Sequence, residues 1–399
     1  MLRFLLLFAV LPTLGLRGET VLVLPFFNSS QRPDLDWIGE SIADTLRESL
    51  ASHGALVLDR EDRLEGYRRL SLRTDARLTH ASIIKLGQAL DAAKLIYGEF
   101  KFTPAAVRVE SAGSAPPSRG SLRIAARILD LRRLRQGPEF AMLGALEQLA
   151  ELENRLGWQA LKALLPRAAP SEQEFLQARP AIRLDAIESY SRGLLAALPE
   201  QKHRYFTQAA RLDERYSQPC FHLGKIYWTN KDYATAARWL ERVGRSDSHY
   251  LESQFFLGLC RYYTGDFKGA EASFQTVAAQ VPLNEVFNNL GAAQARLSAA
   301  QAQANFQKAL EGDSADPDYH FNLAYELWKA GQFEAAAARF RAALERDAQD
   351  SEAAVLLQRC MRRDGPKPGD PTAIGRERLK TEYEETAYRQ LKAELESGR

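Results

Sequence analysis

CFHLGKIYWTNKDYATAARWLERV, residues 220–243, and QFFLGLCRYYTGDFKGAEASFQTV, residues 254–277, are two passes of one pattern offset by 34 residues. The pair at their centre, Leu223-Gly224 and Leu257-Gly258, returns as Leu290-Gly291 and Leu323-Ala324, at steps of 34, 33 and 33 residues. A second series keeps phase with it: Leu240, Phe274, Phe306 and Phe340, each preceded four residues earlier by Ala236, Ala270, Ala302 or Ala336. Asp232, Gly265-Asp266 and Gly331 mark turns between the two series. Small residues let paired helices approach closely, and bulky ones fill the space where pairs stack. The spacing therefore predicts an array of helix-turn-helix units, an architecture that presents extended binding surfaces.

From about Leu184 onward these residues resemble the tetratricopeptide repeat family, with four recognisable units. An atypical leader stands before them, marked by Tyr190, Gly193, Phe206 and Ala209, with polar Lys202 at the alanine place. An irregular end unit is what capping an array requires. The third unit is short around 297–301, which leaves its turn undefined. The resemblance implies a groove lined by first helices. Carried onto this chain, its facing positions are Phe221, Lys225 and Trp228; Phe255, Leu259 and Tyr262; Asn288, Ala292 and Arg296; and Phe321, Tyr325 and Trp328. Aromatic side chains there suit a peptide ligand, although aromatics at helical spacing more often build core. The lysine–asparagine clamp that some relatives use for a terminal carboxylate is incomplete. Asn289 and Asn322 stand in suitable places, but Phe221 and Phe255 occupy the lysine positions. Carboxylate capture is not predicted.

Ahead of the repeats the pattern alternates between strands and helices. Residues 20–27 (TVLVLPFF) form a short buried strand, and Asp34 or Asp36 can cap a helix with the stripe Ile38, Ile42, Leu46 and Leu50. A strand is expected at 55–58, helices near 60–70 and 80–91, a strand at 94–102 and a hairpin loop at 111–120. The returning strand, 121–131, sets Leu122, Ile124, Ala126 and Ile128 on one side and Arg123 and Arg127 on the other. A further strand at 140–143 and a closing helix at 146–165 complete a small α/β sheet module. VLPFFNSS at 23–30, DWIGESIADTL at 36–46, YGEF at 97–100 and RIAARILD at 123–130 resemble the amino-terminal domain of TolB and TolB-like modules that precede tetratricopeptide repeats. That resemblance covers about 20–165 and implies a non-catalytic domain. TolB's β-propeller has no counterpart here, so its partners do not transfer.

Composition agrees with a folded protein: 45% apolar and 26% charged residues, with a net charge of +2 too small to imply a polyanionic partner. Arginines between 60 and 77 alternate with acids, which predicts a salt-bridged face rather than a nucleic-acid patch. Met1, Leu2 and Arg3 followed by a mostly apolar run at 4–16 have the layout of a secretory signal peptide, with cleavage after Gly15 or Gly18. No later stretch reads as a membrane span. The three cysteines make no disulfide framework: Cys220 and Cys260 fall inside first helices and Cys360 near the array's end, as packing residues. Export would leave one pair free to oxidise.

Chemistry is not legible. Ser82-Ile-Ile-Lys85 has the Ser-x-x-Lys form but lacks its partner motifs and sits on an amphipathic helix. Cys220 and His222 are two apart, pointing to different helix faces. Asn28-Ser29-Ser30 is a glycosylation triplet by pattern only. No catalytic, cofactor or metal residue is predicted.

The expected organisation is a signal segment at 1–18, the α/β module at 19–166, a linker at 167–182, the array at 183–363, and a linker plus C-terminal helix at 364–399. In the last segment Leu379, Tyr383, Ala387, Leu391 and Leu395 recur at a step of four, which predicts a charged helix over 374–396 that caps the array or docks on a partner. The fold class is α+β, a sheet domain followed by an all-α superhelix. The functional expectation is an exported, periplasmic adaptor that binds envelope proteins or peptides. A structural component of an envelope or secretion complex is the second reading, and an unrecognised carboxylate hydrolase the third.

Overall fold

The computed structural model describes residues 19–30, 32–105, 119–179 and 181–397, with side chains to residue 394. The expected signal segment and all but the last two residues of the expected hairpin loop lie outside those residues.

The amino-terminal module is built on one sheet. β1 (Val21–Val23) and β2 (Phe27–Asn28) both pair in parallel with β3 (Lys94–Pro104). β3 pairs antiparallel with β4 (Gly120–Asp130), and β4 with β5 (Arg135–Ala145), in the order β1-β3-β4-β5. Side chains alternate across a strand. Val21 and Val23 therefore join one core with α1 (Trp37–Ala51) and α4 (Leu149–Leu164), while Leu22 and Leu24 join another with α2 (Arg60–Arg69) and α3 (His80–Ala89). The α1 stripe of Ile38, Ile42, Leu46 and Leu50 is wholly buried.

The single strand expected at 20–27 is broken into β1 and β2, and two further expectations for this module need correction. Residues 55–58 make only an isolated bridge, Val21 to Val57, because the chain turns at once into the Asp59–Asp62 capping box that opens α2. The strand expected at 140–143 runs from Arg135 to Ala145, since pairing extends along most of β4. The arginines after residue 60 are paired as the alternating charges implied: Arg69 with Glu65, Arg73 with Asp75, Arg77 with Glu99. Arg63, however, is buried and holds Glu40 at 2.5 Å, so part of that face is interior.

After α5 (Glu172–Gln177) come the helix pairs α6 (Leu184–Leu195) with α7 (Pro199–Leu212), α8 (Gln218–Thr229) with α9 (Tyr233–Leu240), and α10 (Tyr250–Tyr263) with α11 (Phe267–Ala278). The series continues with α12 (Asn284–Arg296) and α13 (Ala302–Gly312), α14 (Pro317–Lys329) and α15 (Phe333–Arg346), and the single helix α16 (Ser351–Met361). The recurring glycine has a direct steric cause. A Cβ on Gly258 would lie 2.7 Å from the Phe274 ring, and one on Gly224 would lie 2.5 Å from Leu240. The leader uses the same device, with Gly193 facing Phe206. The turn of the short third unit passes through Ser298 in the left-handed region, φ 54°.

Cys220, Cys260 and Cys360 are free and buried, and burial pushes their thiols up to about 11, 12 and 11. Among the described residues no helix is long and apolar enough to cross a membrane.

The C-terminal segment departs from expectation. The final helix, α17, spans only Glu385–Ser397, and 374–384 are not helical. They cross the face formed by the first helices of the repeats.

Candidate peptide groove and its resident segment

The groove is lined by α10, α12 and α14, and the chain's own residues occupy it. Asn322 Nδ2 donates to the Arg378 carbonyl at 2.8 Å, while the Arg378 N–H donates to Asn322 Oδ1 at 2.8 Å. One turn-pair away Asn289 repeats the arrangement on Lys380, at 2.7 and 2.8 Å. Asn288 braces both: its amide donates to the Arg378 carbonyl at 2.8 Å, and its oxygen accepts from Asn322 at 2.7 Å. The three asparagines are fully buried. A buried amide left without partners costs about 1–3 kcal/mol, so this ladder requires an extended main chain to satisfy it.

Side chains complete the seat. Arg378 Nη1 lies 2.7 Å from Asp350 and 3.3 Å from Asp318, and its guanidinium sits 3.5 Å from the Phe321 ring centroid. Lys380 Nζ is 2.6 Å from Asp316 and 2.7 Å from Asp318. Burial disfavours charge at Asp350, yet Arg378 and backbone N–H donors hold its carboxyl below the usual range. Glu377 is buried, accepts from Tyr262 Oη at 3.1 Å and faces Lys329 Nζ at 3.4 Å. Leu379 and Tyr383 pack on the array's apolar core.

The residues read from sequence divide between this seat and the interior. Phe255 meets Tyr383 edge-on at 4.9 Å, Tyr325 Oη donates to the Thr372 carbonyl at 2.9 Å, and Trp328 Nε1 donates to the Asp364 carbonyl at 2.9 Å. Phe255, Tyr262, Asn288 and Phe321 thus touch the resident segment, Tyr325 and Trp328 hold the chain leading into it, and the Arg296 guanidinium lies beside Gly375. Leu259 and Ala292 are core. Lys225 lies over the Phe256 ring at 3.7 Å, and Trp228 belongs to a cluster with Tyr233, Phe256 and Tyr263. Phe221 stacks on His249 at 4.4 Å, facing the amino-terminal module. In the sequence Asp316, with Pro317, reads only as a join between repeats, and Asp318 and Asp350 carry no separate mark. Their signal was available, since Asp316 and Asp350 cap α14 and α16, but caps are common and say nothing of ligands.

A second polar centre joins the module to the array. Arg47 of α1 lies 3.0 Å from Asp44 and 3.5 Å from Glu48; Tyr190 Oη of the leader donates to Asp44 at 3.2 Å. Glu48, Asp247 and His249 place ligand atoms within 4.8 Å of one another, the one such group among the described residues. The Arg47 guanidinium already supplies positive charge there, so the trio acts as an ion network. Burial pushes the His222 imidazole down to about 3, whereas His249, despite burial, is raised by its hydrogen bond to Asp247.

Glu153 gives this junction a pH dependence. Burial pushes its carboxyl up to about 8 against the hydroxyls of Ser41 and Thr45. The native state thus holds a proton that the unfolded chain releases near its ordinary value of about 4.3. Stability falls as pH rises through that window, up to about pH 8. Glu48, raised by burial, and His249 add slope of the same sign. The lowered pKa of His222 acts oppositely, but only below about pH 6.5, where the unfolded imidazole protonates. Urea denaturation is therefore expected to show lower stability at pH 8.5 than at 6.5. Glu153→Gln should remove about 1 kcal/mol or more of that difference; an unchanged difference would rule Glu153 out as its source.

The family model for the tetratricopeptide repeat matches residues 221–285 and 321–365. No curated protein matches the chain. Similar solved structures include MamA (from position 41 to its end) of Desulfovibrio magneticus RS-1, at 22% identity over 42% of this chain and 96% of that one, TM-score 0.36. YrrB, described as a tetratricopeptide repeat protein with an unusual peptide-binding site, aligns at 18% identity over 42% of this chain and 87% of its own, TM-score 0.35.

Proposed function

We propose that this chain is a non-catalytic adaptor whose repeats bind an extended peptide segment of a partner protein across the first helices. The observation that carries the reading is the asparagine pair, which holds two alternate residues of an extended main chain through both N–H and C=O. Such a clamp is indifferent to side-chain identity and fits any chain lying in that register. Selection of a displayed random-peptide library on the full-length protein tests it. Selected peptides should lose at least about tenfold in affinity for Asn289→Ala/Asn322→Ala. Peptides that bind that variant undiminished would refute the groove as their site.

We read the amino-terminal module as TolB-like, on its strand motifs, and the chain as exported to the periplasm, where its partners are envelope proteins. Export rests on the charge and apolar pattern of 1–18. The intact mass of protein from its native source should correspond to a chain beginning at Leu16 or Glu19. Retention of Met1 would exclude the export reading.

A further inference from the structure

We infer that the groove selects a partner segment of basic–apolar–basic pattern, and that Arg378, Leu379 and Lys380 are the chain's own copy of that ligand, resident until the partner's segment displaces it. The inference rests on the peptide-groove reading and adds the chemistry of the ligand.

The asparagine ladder fixes main chain, so discrimination falls to the side chains it aligns. In an extended segment residues two apart point the same way. Arg378 and Lys380 therefore both project toward the carboxylates at the starts of α14 and α16, while Leu379 packs on the apolar core. Those carboxylates belong to the repeats. Among the described residues, Asp316, Asp318, Asp350 and Glu352 make their ion pairs with Arg376, Arg378 and Lys380. Vacated, the groove would be an acidic floor beside the exposed face of Phe321, a setting that favours a guanidinium through charge and ring stacking together. A neutral or acidic segment could satisfy the asparagines but would leave these acids without counter-charge. The resident segment is also separable from the fold: no repeat is completed by it, and beyond the groove it is anchored by Arg389 to Asp59 and Asp62 and by Lys392 to the Ser248 carbonyl.

The probe is a synthetic peptide of residues 373–384, AIGRERLKTEYE, and a twin carrying R378Q and K380Q. The tethered segment competes at an effective concentration on the order of millimolar, so binding is measured on the full-length chain bearing R378E and K380E, which frees the groove, and on the wild-type chain. The parent peptide is expected to bind the variant at least about tenfold more tightly than it binds wild type, and at least about tenfold more tightly than the twin does. In wild type, millimolar parent peptide is expected to speed amide exchange at Arg378 and Lys380 about tenfold, a readout independent of how the variant folds. A twin that binds the variant, or speeds exchange, as well as the parent overturns the basic specificity and leaves the groove reading standing. If neither peptide binds the variant nor changes exchange in wild type, displacement is overturned, and the library selection decides the groove reading separately.

Discussion

Arg47→Met is expected to lower the unfolding free energy by about 3–5 kcal/mol, the cost of removing one partner from a buried charge cluster. Methionine keeps the aliphatic stem, so the loss isolates charge from packing. The guanidinium stands between Asp44 and Glu48 on one helix, with Tyr190 Oη on the same Asp44 and His249 3.7 Å from Glu48. Without Arg47, Asp44 and Glu48 would lose the cation between them, and Arg179, which faces Glu48 and Asp247, would be the guanidinium left at the junction. The prediction has a second arm: Asp44→Asn combined with Arg47→Met should recover part of the loss, because it removes the charge left behind. Urea denaturation at pH 7 reads both. A single-variant loss below about 1 kcal/mol would mean that water screens the junction.

Phe274→Ala is expected to cost about 3–5 kcal/mol, as a fully buried aromatic whose removal opens a cavity between paired helices. The reverse insult at its partner is instructive. Gly258→Ala places a methyl 2.7 Å from the Phe274 ring and should cost about 1–3 kcal/mol. Combining Gly258→Ala with Phe274→Leu should cost less than the two changes summed, because the smaller side chain yields the space. Strict additivity in thermal or urea melts would refute the glycine–aromatic contact as the reason for the repeat's spacing.

That contact also explains what could be seen in advance. Gly258 and Phe274 are sixteen residues apart, so the requirement is local and recurs with every unit, leaving a mark on the sequence. The α1 stripe and the alternation in β4 are legible for the same reason. The seat of the C-terminal segment is not. Asn322 with Arg378 and Asn289 with Lys380 join residues 56 and 91 apart through main chain; the asparagines recur at the repeat's pitch, but the segment they hold carries no repeat of its own. The step of four from Leu379 to Tyr383 suggested helix, yet an even step also returns a residue to the same side of an extended strand. Both periods are satisfied there, and the asparagines decide between them. The groove residues were recognisable as a face, but not which of them met a ligand: Leu259 and Tyr262 lie three apart in one core, yet it is Tyr262 whose hydroxyl reaches Glu377.

One consequence follows from where the resident segment sits in the chain. Helices α10 to α14 precede it, and repeats of this kind fold by neighbour contacts without waiting for distant sequence. Whether the chain leaves a ribosome or crosses a membrane with its amino end first, the groove is assembled before residues 374–384 arrive to close it. At about 5–20 residues per second of synthesis the delay is on the order of seconds. Every molecule thus passes once through an open state early in its life. A partner present at its birth can take the groove without displacing anything, and one arriving later must compete.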